Sequence, residues 1–271
     1  MRRLALAQME VRLAAGPAEV RLDAERGGRV ASIVVDGMEL LVTAGDDPMD
    51  WGCYPMAPWA GRVRNGRFRY GGKEHQLARN LPPHAIHGTV YTRAWKVEHA
   101  EPTDAVLVTE LGDGWPFEGR VVHRVRVDEQ ALHLRLEIWA EDEPFPASCG
   151  WHPWWRRRLS RGGPVELELE AAAMWERGDD HIPTGELVPP APGPWDDCFT
   201  DLEDPPVLRW PGALELTIET SLQDVVVFDE PSHAVCVEPQ TGPPDALRLT
   251  PVVVEPGLPL VAEATFAWRL L

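Results

Sequence analysis

Leu132-His-Leu-Arg-Leu-Glu-Ile-Trp139 alternates strictly, with Leu132, Leu134, Leu136 and Ile138 on one side and His133, Arg135, Glu137 and Trp139 on the other. A period of two marks a half-buried β-strand, because successive side chains of a pleated chain point to opposite faces. The same alternation runs through Val121, His123, Val125 and Val127 upstream, and through Val165, Leu167 and Leu169 against Glu166, Glu168 and Glu170 downstream. Asp36-Gly37 separates Ile33-Val34-Val35 from Met38-Glu39-Leu40-Leu41, and Gly71-Gly72 follows Phe68-Arg69-Tyr70. Both pairs tolerate the left-handed backbone of a two-residue hairpin turn. With 27 Pro and 23 Gly spread along the chain, no uninterrupted window is left for an amphipathic helix of ten or more residues.

Many antiparallel strands need a second layer to cover the apolar face of the first. The expected fold is therefore all-β, a large twisted antiparallel β-sandwich with few short helices, and at 271 residues it is expected to form one domain over 1–271. Leu187 to Asp204, rich in proline and acidic residues but holding Trp195 and Phe199, reads as an ordered surface loop between strands.

Composition narrows the function classes. A chain that is 44% hydrophobic and 25% charged is an ordinary globular protein. Its net charge of −17 repels phosphate backbones and anionic lipid, which argues against nucleic-acid and membrane partners and favours a neutral small molecule. Cys53, Cys149, Cys198 and Cys236 lack the paired spacing of a zinc or redox motif and read as reduced, buried thiols. Gln8 and Glu10 interrupt the apolar start at Leu4-Ala-Leu-Ala7 before it reaches signal-peptide length, and no stretch approaches a membrane span. Cytoplasmic residence is the expectation.

Four segments set polar residues among aromatics and prolines, the composition of a sugar cleft. Arg62 lies in the turn-forming run Tyr54 to Phe68; its fixed donors suit several hydroxyls, although a surface arginine is the commoner meaning of such a position. His84-Ala-Ile-His-Gly-Thr89 offers His87 beside a glycine. The spacing of His84 and His87 invites a metal reading, but no HxH pair or nearby carboxylate completes a ligand set, so no metal is expected. Cys149-Gly-Trp-His-Pro-Trp-Trp155 encloses His152 in aromatics, including Trp154, that suit the apolar face of a pyranose; an aromatic core patch is the competing account. The Arg156-Arg-Arg158 run after it reads as a solvated edge. In Val235-Cys-Val-Glu-Pro-Gln-Thr241 an apolar strand ends in Glu238 among rigid neighbours, where a carboxylate serves well as a base.

In order, these segments resemble the aldose 1-epimerase, or galactose mutarotase, family from about Arg29 to the carboxyl terminus. The family's Pro-x-x-Asn-Arg-Ile-x-x-Gly-x-Phe is similar to Pro58-Trp-Ala-Gly-Arg-Val-Arg-Asn-Gly-Arg-Phe68, with Gly61 in place of the asparagine. Its His-Gly loop resembles His87-Gly88, and its Gly-x-His-Pro signature resembles Gly150-Trp-His-Pro153. Gly114-Trp-Pro-Phe117 and Ile182-Pro-Thr-Gly-Glu186 add support. The family's Asp-His-x-Phe is similar to Asp196-Asp-Cys-Phe199, with Asp197 in place of histidine, and its Glu-Pro motif resembles Glu238-Pro239.

The resemblance implies a supersandwich fold and an isomerase that interconverts the α and β anomers of a free, glucose- or galactose-like aldose. It implies His152 as general acid, Glu238 as general base, His87 as assistant at the ring oxygen, and Arg62, Asp196 and Trp154 as sugar-binding residues, with no cofactor. A monomer or homodimer is expected. Two alternatives stand beside it: an epimerase for a hexose phosphate or sulfonated hexose held by Arg64, Arg67 or Arg156, and a non-catalytic carbohydrate-binding relative.

Overall fold

A computed structural model of the chain describes residues 10–271; the reading of the apolar start at Leu4 lies outside them. The described residues are 55% strand and 3% helix, so the alternating pattern, not helix propensity, builds the fold. An eleven-stranded sheet runs in the order Glu10–Ala15, Ala18–Asp23, Arg29–Val35, Cys53–Met56, Gly150–Arg156, Ala234–Gln240, Asp224–Phe228, Asp196–Leu202, Ala171–Arg177 and Pro183–Val188, with Met38–Glu39 paired to Arg29–Val35 off that path. An eight-stranded sheet is centred on Gly119–Val127, Ala131–Ala140 and Leu260–Leu270. Strand pairing is antiparallel throughout both sheets.

The opening octapeptide lies in Ala131–Ala140, and Leu132, Leu134, Leu136 and Ile138 are buried as their alternation requires. Across the core the larger sheet contributes Trp151 and Trp155. Trp155 meets Phe266 edge-on at 5.0 Å, and the Trp151 indole donates to Nε2 of His123 at 3.1 Å. His123 Nδ1 lies 3.1 Å from the Gly28 carbonyl. With an indole donor on Nε2, the imidazole carries its proton on Nδ1 and is neutral, and burial holds its pKa down at about 4. Both hairpins form at the expected turns, with Asp36 at φ 48° and Gly37 at 73°, and Gly71 at 58° and Gly72 at 76°. Among the described residues the helices are one turn at Ala246–Leu249 and a 3₁₀ turn at Arg64–Gly66. Among the described residues no helix is long and apolar enough to cross a membrane.

One expectation is overturned. The segment read as a surface loop from Leu187 to Asp204 contains Asp196–Leu202, an interior strand of the large sheet with Cys198, Phe199 and Thr200 buried. Its alternation is hidden because one face of the strand meets a polar cavity instead of the core. The Arg156-Arg-Arg158 run is also less solvated than expected. The Arg156 Nε donates to the Leu41 carbonyl at 2.6 Å, and the Arg157 Nε to the Pro231 carbonyl at 2.8 Å.

Candidate active site

Alternation along Gly150–Arg156 sends Trp151 and Trp155 into the core and leaves His152 and Trp154 on the outer face of the large sheet. The register then aligns partners across strands. Tyr54 pairs with His152. The pairs Gly150–Gln240 and Trp154–Cys236 bracket the level at which His152 stands opposite Glu238. Val226 pairs with Glu238, and Cys198 with Val226. One row across five adjacent strands is thus Tyr54, His152, Glu238, Val226 and Cys198. The neighbouring row, Trp154, Cys236, Phe228 and Asp196, places Asp196 on the same face. Loops close over both rows and leave a cavity of about 180 Å³ lined by His152, Glu238, His87, Arg62, Asp196 and Trp154, among others. The six residues to which the family resemblance gives acid, base, assisting or sugar-binding roles are therefore brought to one cavity.

Within it, His152 Nε2 lies 3.2 Å from Glu238 Oε1. Both are buried, and burial disfavours charge on each: it pushes the His152 imidazole down to about 3, with the Arg29 cation adding to the effect. It drives the Glu238 carboxyl well above the carboxylate range, reinforced by Asp196. Burial therefore favours one proton on the pair, as a neutral carboxyl beside a neutral imidazole. The second Glu238 oxygen, Oε2, accepts from the Gln240 amide at 3.2 Å.

His152 is held on several sides by rings. Tyr54 stacks on it at 4.9 Å and Trp154 at 5.4 Å, while His87 presents its ring at 90° and 5.0 Å. Trp154 also stacks on His233 at 5.8 Å, and its indole donates to the Met49 carbonyl at 2.7 Å. His87 sits in the left-handed region at φ 60°. The next residue must be glycine there, because a Cβ on Gly88 would lie 1.9 Å from the Ala57 carbonyl oxygen. Burial pushes the His87 pKa well down, with His152 and Arg62 adding to the shift, so its imidazole is neutral.

Arg62 and Asp196 form a two-point ion pair at the wall, Nη2 to Oδ2 at 3.0 Å and Nη1 to Oδ1 at 3.4 Å. His181 Nδ1 lies 3.4 Å from the same carboxylate. Asp197 pairs instead with Arg177 Nε at 3.3 Å. Arg64 is committed to Asp180 and lies 3.9 Å from Asp245. Arg67 pairs with Gln76 and Glu74, and Arg156 with a main-chain carbonyl.

His152, Cys236 and Glu238 hold one donor atom each within 4.8 Å, the spacing of a possible metal site among the described residues. Burial keeps the Cys236 thiol protonated by raising its pKa, with Glu238 adding to the effect. His84 is not part of this group; its Nδ1 accepts the Asn65 amide at 3.1 Å.

Tyr54, Trp175, Arg177, His181 and Gln240 also line the cavity and were not singled out in the sequence. Gln240 carried a readable signal, since two residues beyond Glu238 on a strand is the same face. The others carried none, because the register that gathers them is not local.

A family model described as aldose 1-epimerase matches residues 24–251. The chain belongs to the aldose 1-epimerase family. The large-sandwich fold expected from the sequence is the one its relatives share. It is similar to the galactose mutarotase-like protein from Clostridium acetobutylicum (TM-score 0.83, 16% identity, 97% of this chain and 95% of that one). It is similar too to an aldose epimerase homologue from C. elegans (TM-score 0.84, 18% identity, 97% and 99%). At these identities the likeness is one of fold. Among curated sequences it is 29% identical over 129 residues to YphB of Escherichia coli K12, covering 46% of this chain and 43% of that protein. It is 30% identical over 174 residues to YihR of the same organism, covering 58% and 54%. The chain spans about half the length of these two relatives.

Proposed function

We propose that this epimerase-family chain interconverts the α and β anomers of a neutral free aldose, with Glu238 as base and His152 as acid. The observation that carries the reading is the 3.2 Å contact between His152 Nε2 and Glu238 Oε1 in the floor of the cavity. Opening a cyclic hemiacetal moves two protons at oxygens bonded to the same carbon. The hydroxyl on C1 must lose a proton while the ring oxygen gains one, so acid and base must stand side by side.

The proton count balances on this pair. Transfer within it makes a Glu238 carboxylate and a His152 imidazolium. The carboxylate takes the C1 hydroxyl proton, the imidazolium protonates the ring oxygen as the C1–O bond breaks, and the aldehyde forms. Glu238 is then neutral and His152 neutral, the state that burial favours. Rotation about C1–C2 presents the other carbonyl face, and the reverse transfers close the ring as the other anomer.

The neutral imidazole of His87 stands beside His152 and is suited to hydrogen-bond the ring oxygen. Arg62 and Asp196 together offer donors and acceptors to sugar hydroxyls. Because Trp154 stacks on both His152 and His233, its role in this reading is to fix the acid, with only part of its surface left to a sugar. The cavity arginines Arg62 and Arg177 already face Asp196 and Asp197, which favours a neutral sugar over a phosphorylated or sulfonated one.

The test is anomer-resolved NMR on freshly dissolved α-glucose, α-galactose and a hexose 6-phosphate. Faster equilibration of a neutral sugar than in buffer is expected. No acceleration of any aldose would refute the reading, and preference for the phosphate would refute the neutral assignment.

A further inference from the structure

Gln240 is fully buried, lines the cavity, and divides its amide between two tasks. Its Nε2 donates to Glu238 Oε2 at 3.2 Å, while its Oε1 is buried with no hydrogen-bond partner among the described residues. A buried acceptor left unpaired in a ligand cavity is costly unless something else pays for it, and a sugar hydroxyl is the donor at hand. The strand opposite makes room for this arrangement. Gly150 pairs directly with Gln240, and a Cβ at Gly150 would lie 3.1 Å from Gln240 Cγ and 2.3 Å from the Pro239 carbonyl. The glycine of the Gly-x-His-Pro signature thus leaves the space that the Pro239 carbonyl and Gln240 occupy.

We propose that Gln240 is a positioning residue that fixes the Glu238 carboxylate through its N–H and receives a sugar hydroxyl on its carbonyl oxygen, coupling substrate binding to alignment of the base. The inference rests on the epimerase reading of the site, and it makes a separate claim about the Glu238 carboxyl. A donor on Oε2 favours the carboxylate. Without it, the proton-shared pair moves toward the neutral form, and the base is less often ready.

Two variants separate the tasks. Gln240→Met removes donor and acceptor at similar size; Gln240→Glu keeps an acceptor but sets a second carboxyl against Glu238, so it reads KM and not the titration. The first readout is the pH titration of the Glu238 carboxyl carbon by ¹³C NMR in the sugar-free protein, with near-ultraviolet circular dichroism confirming the fold. Gln240→Met is expected to titrate at higher pH than wild type. In anomerisation assays kcat is expected to fall about 10- to 100-fold in both, the worth of a charge-assisted hydrogen bond, while KM rises chiefly in Gln240→Met.

An unmoved carboxyl titration in folded Gln240→Met overturns the donor role, and an unmoved KM in Gln240→Met overturns the acceptor role. If Gln240→Met does not fold, Gln240→Leu decides the donor role by its titration, and Gln240→Glu decides the acceptor role by its KM: a KM raised despite the retained acceptor overturns the latter. If wild type accelerates no aldose, the epimerase reading falls, and the carboxyl titration still tests the contact between Gln240 and Glu238.

Discussion

Pro244 fills the space in which a Cβ of Gly61 would stand: that atom would come within 2.9 Å of Pro244 Cβ and Cγ, and Gly61 has a φ of 65°. Gly61 occupies the place of an asparagine in the family pattern, and both residues line the cavity. Asparagine tolerates the left-handed backbone, so steric room, not dihedral strain, excludes it. Gly61→Asn alone is expected to cost about 1–3 kcal/mol by overpacking. Combining it with Pro244→Gly should recover part of that cost. A double-mutant cycle by urea unfolding measures the coupling, and strict additivity would show that the two sites do not compete for space.

Replacing the acid or base tests the chemistry directly. Glu238→Gln keeps the shape of the base but removes its proton acceptor, and His152→Gln removes the imidazole. Each is expected to lower kcat about 100- to 10,000-fold, with smaller changes in KM. The double variant should lose little more than either single one, because the two groups act as a unit. Full activity in Glu238→Gln by polarimetry would reject the base assignment.

The pH response follows from the lowered His152 and raised Glu238 pKa values. The active pair carries one proton. It gains a second only near the depressed His152 value of about 3, and loses its last above the ordinary carboxylate range, so kcat/KM should hold through mild acid and fall on an alkaline limb. One part of the stability has the opposite sensitivity. Buried His123, at about 4, binds its proton more weakly folded than unfolded, so the stability it contributes is full above pH 6.5 and is lost as pH falls toward 4; the raised Glu238 carboxyl acts with the opposite sign, losing stability as pH rises above the ordinary carboxylate range. His123 alone should account for about 3 kcal/mol. Urea midpoints of wild type and His123→Gln between pH 7 and 4 isolate that contribution; the same pH slope in both would contradict the buried neutral imidazole.

Arg29 is expected to be a stability determinant that also touches the chemistry. Its fully buried guanidinium donates to the carbonyls of Arg26, Pro48, Trp51 and Tyr91 at 2.6–3.1 Å and lies 4.1 Å over the Trp51 ring. Arg29→Met leaves those carbonyls unpaired and should cost about 3–5 kcal/mol in chemical denaturation. Because Arg29 also depresses His152, the acid limb of the surviving activity should move to higher pH.

The sequence by itself determined the layer architecture. Leu132 to Ile138, Val121 to Val127 and the Asp36-Gly37 turn are local patterns, and a period of two specifies a strand without knowledge of its partners. It also supplied His152 and Glu238 as acid and base candidates, through the family resemblance that their order and chemical type carry. Asp196–Leu202 escaped, since the carboxylates and thiol that face the cavity break the apolar alternation of that strand. Only the tertiary structure set His152 opposite Glu238, put Gln240 on the second carboxylate oxygen, stacked Tyr54 on the acid, and set Pro244 against Gly61. Those relationships depend on register between strands distant in sequence, and register is fixed by the packing of whole faces, which no local window contains.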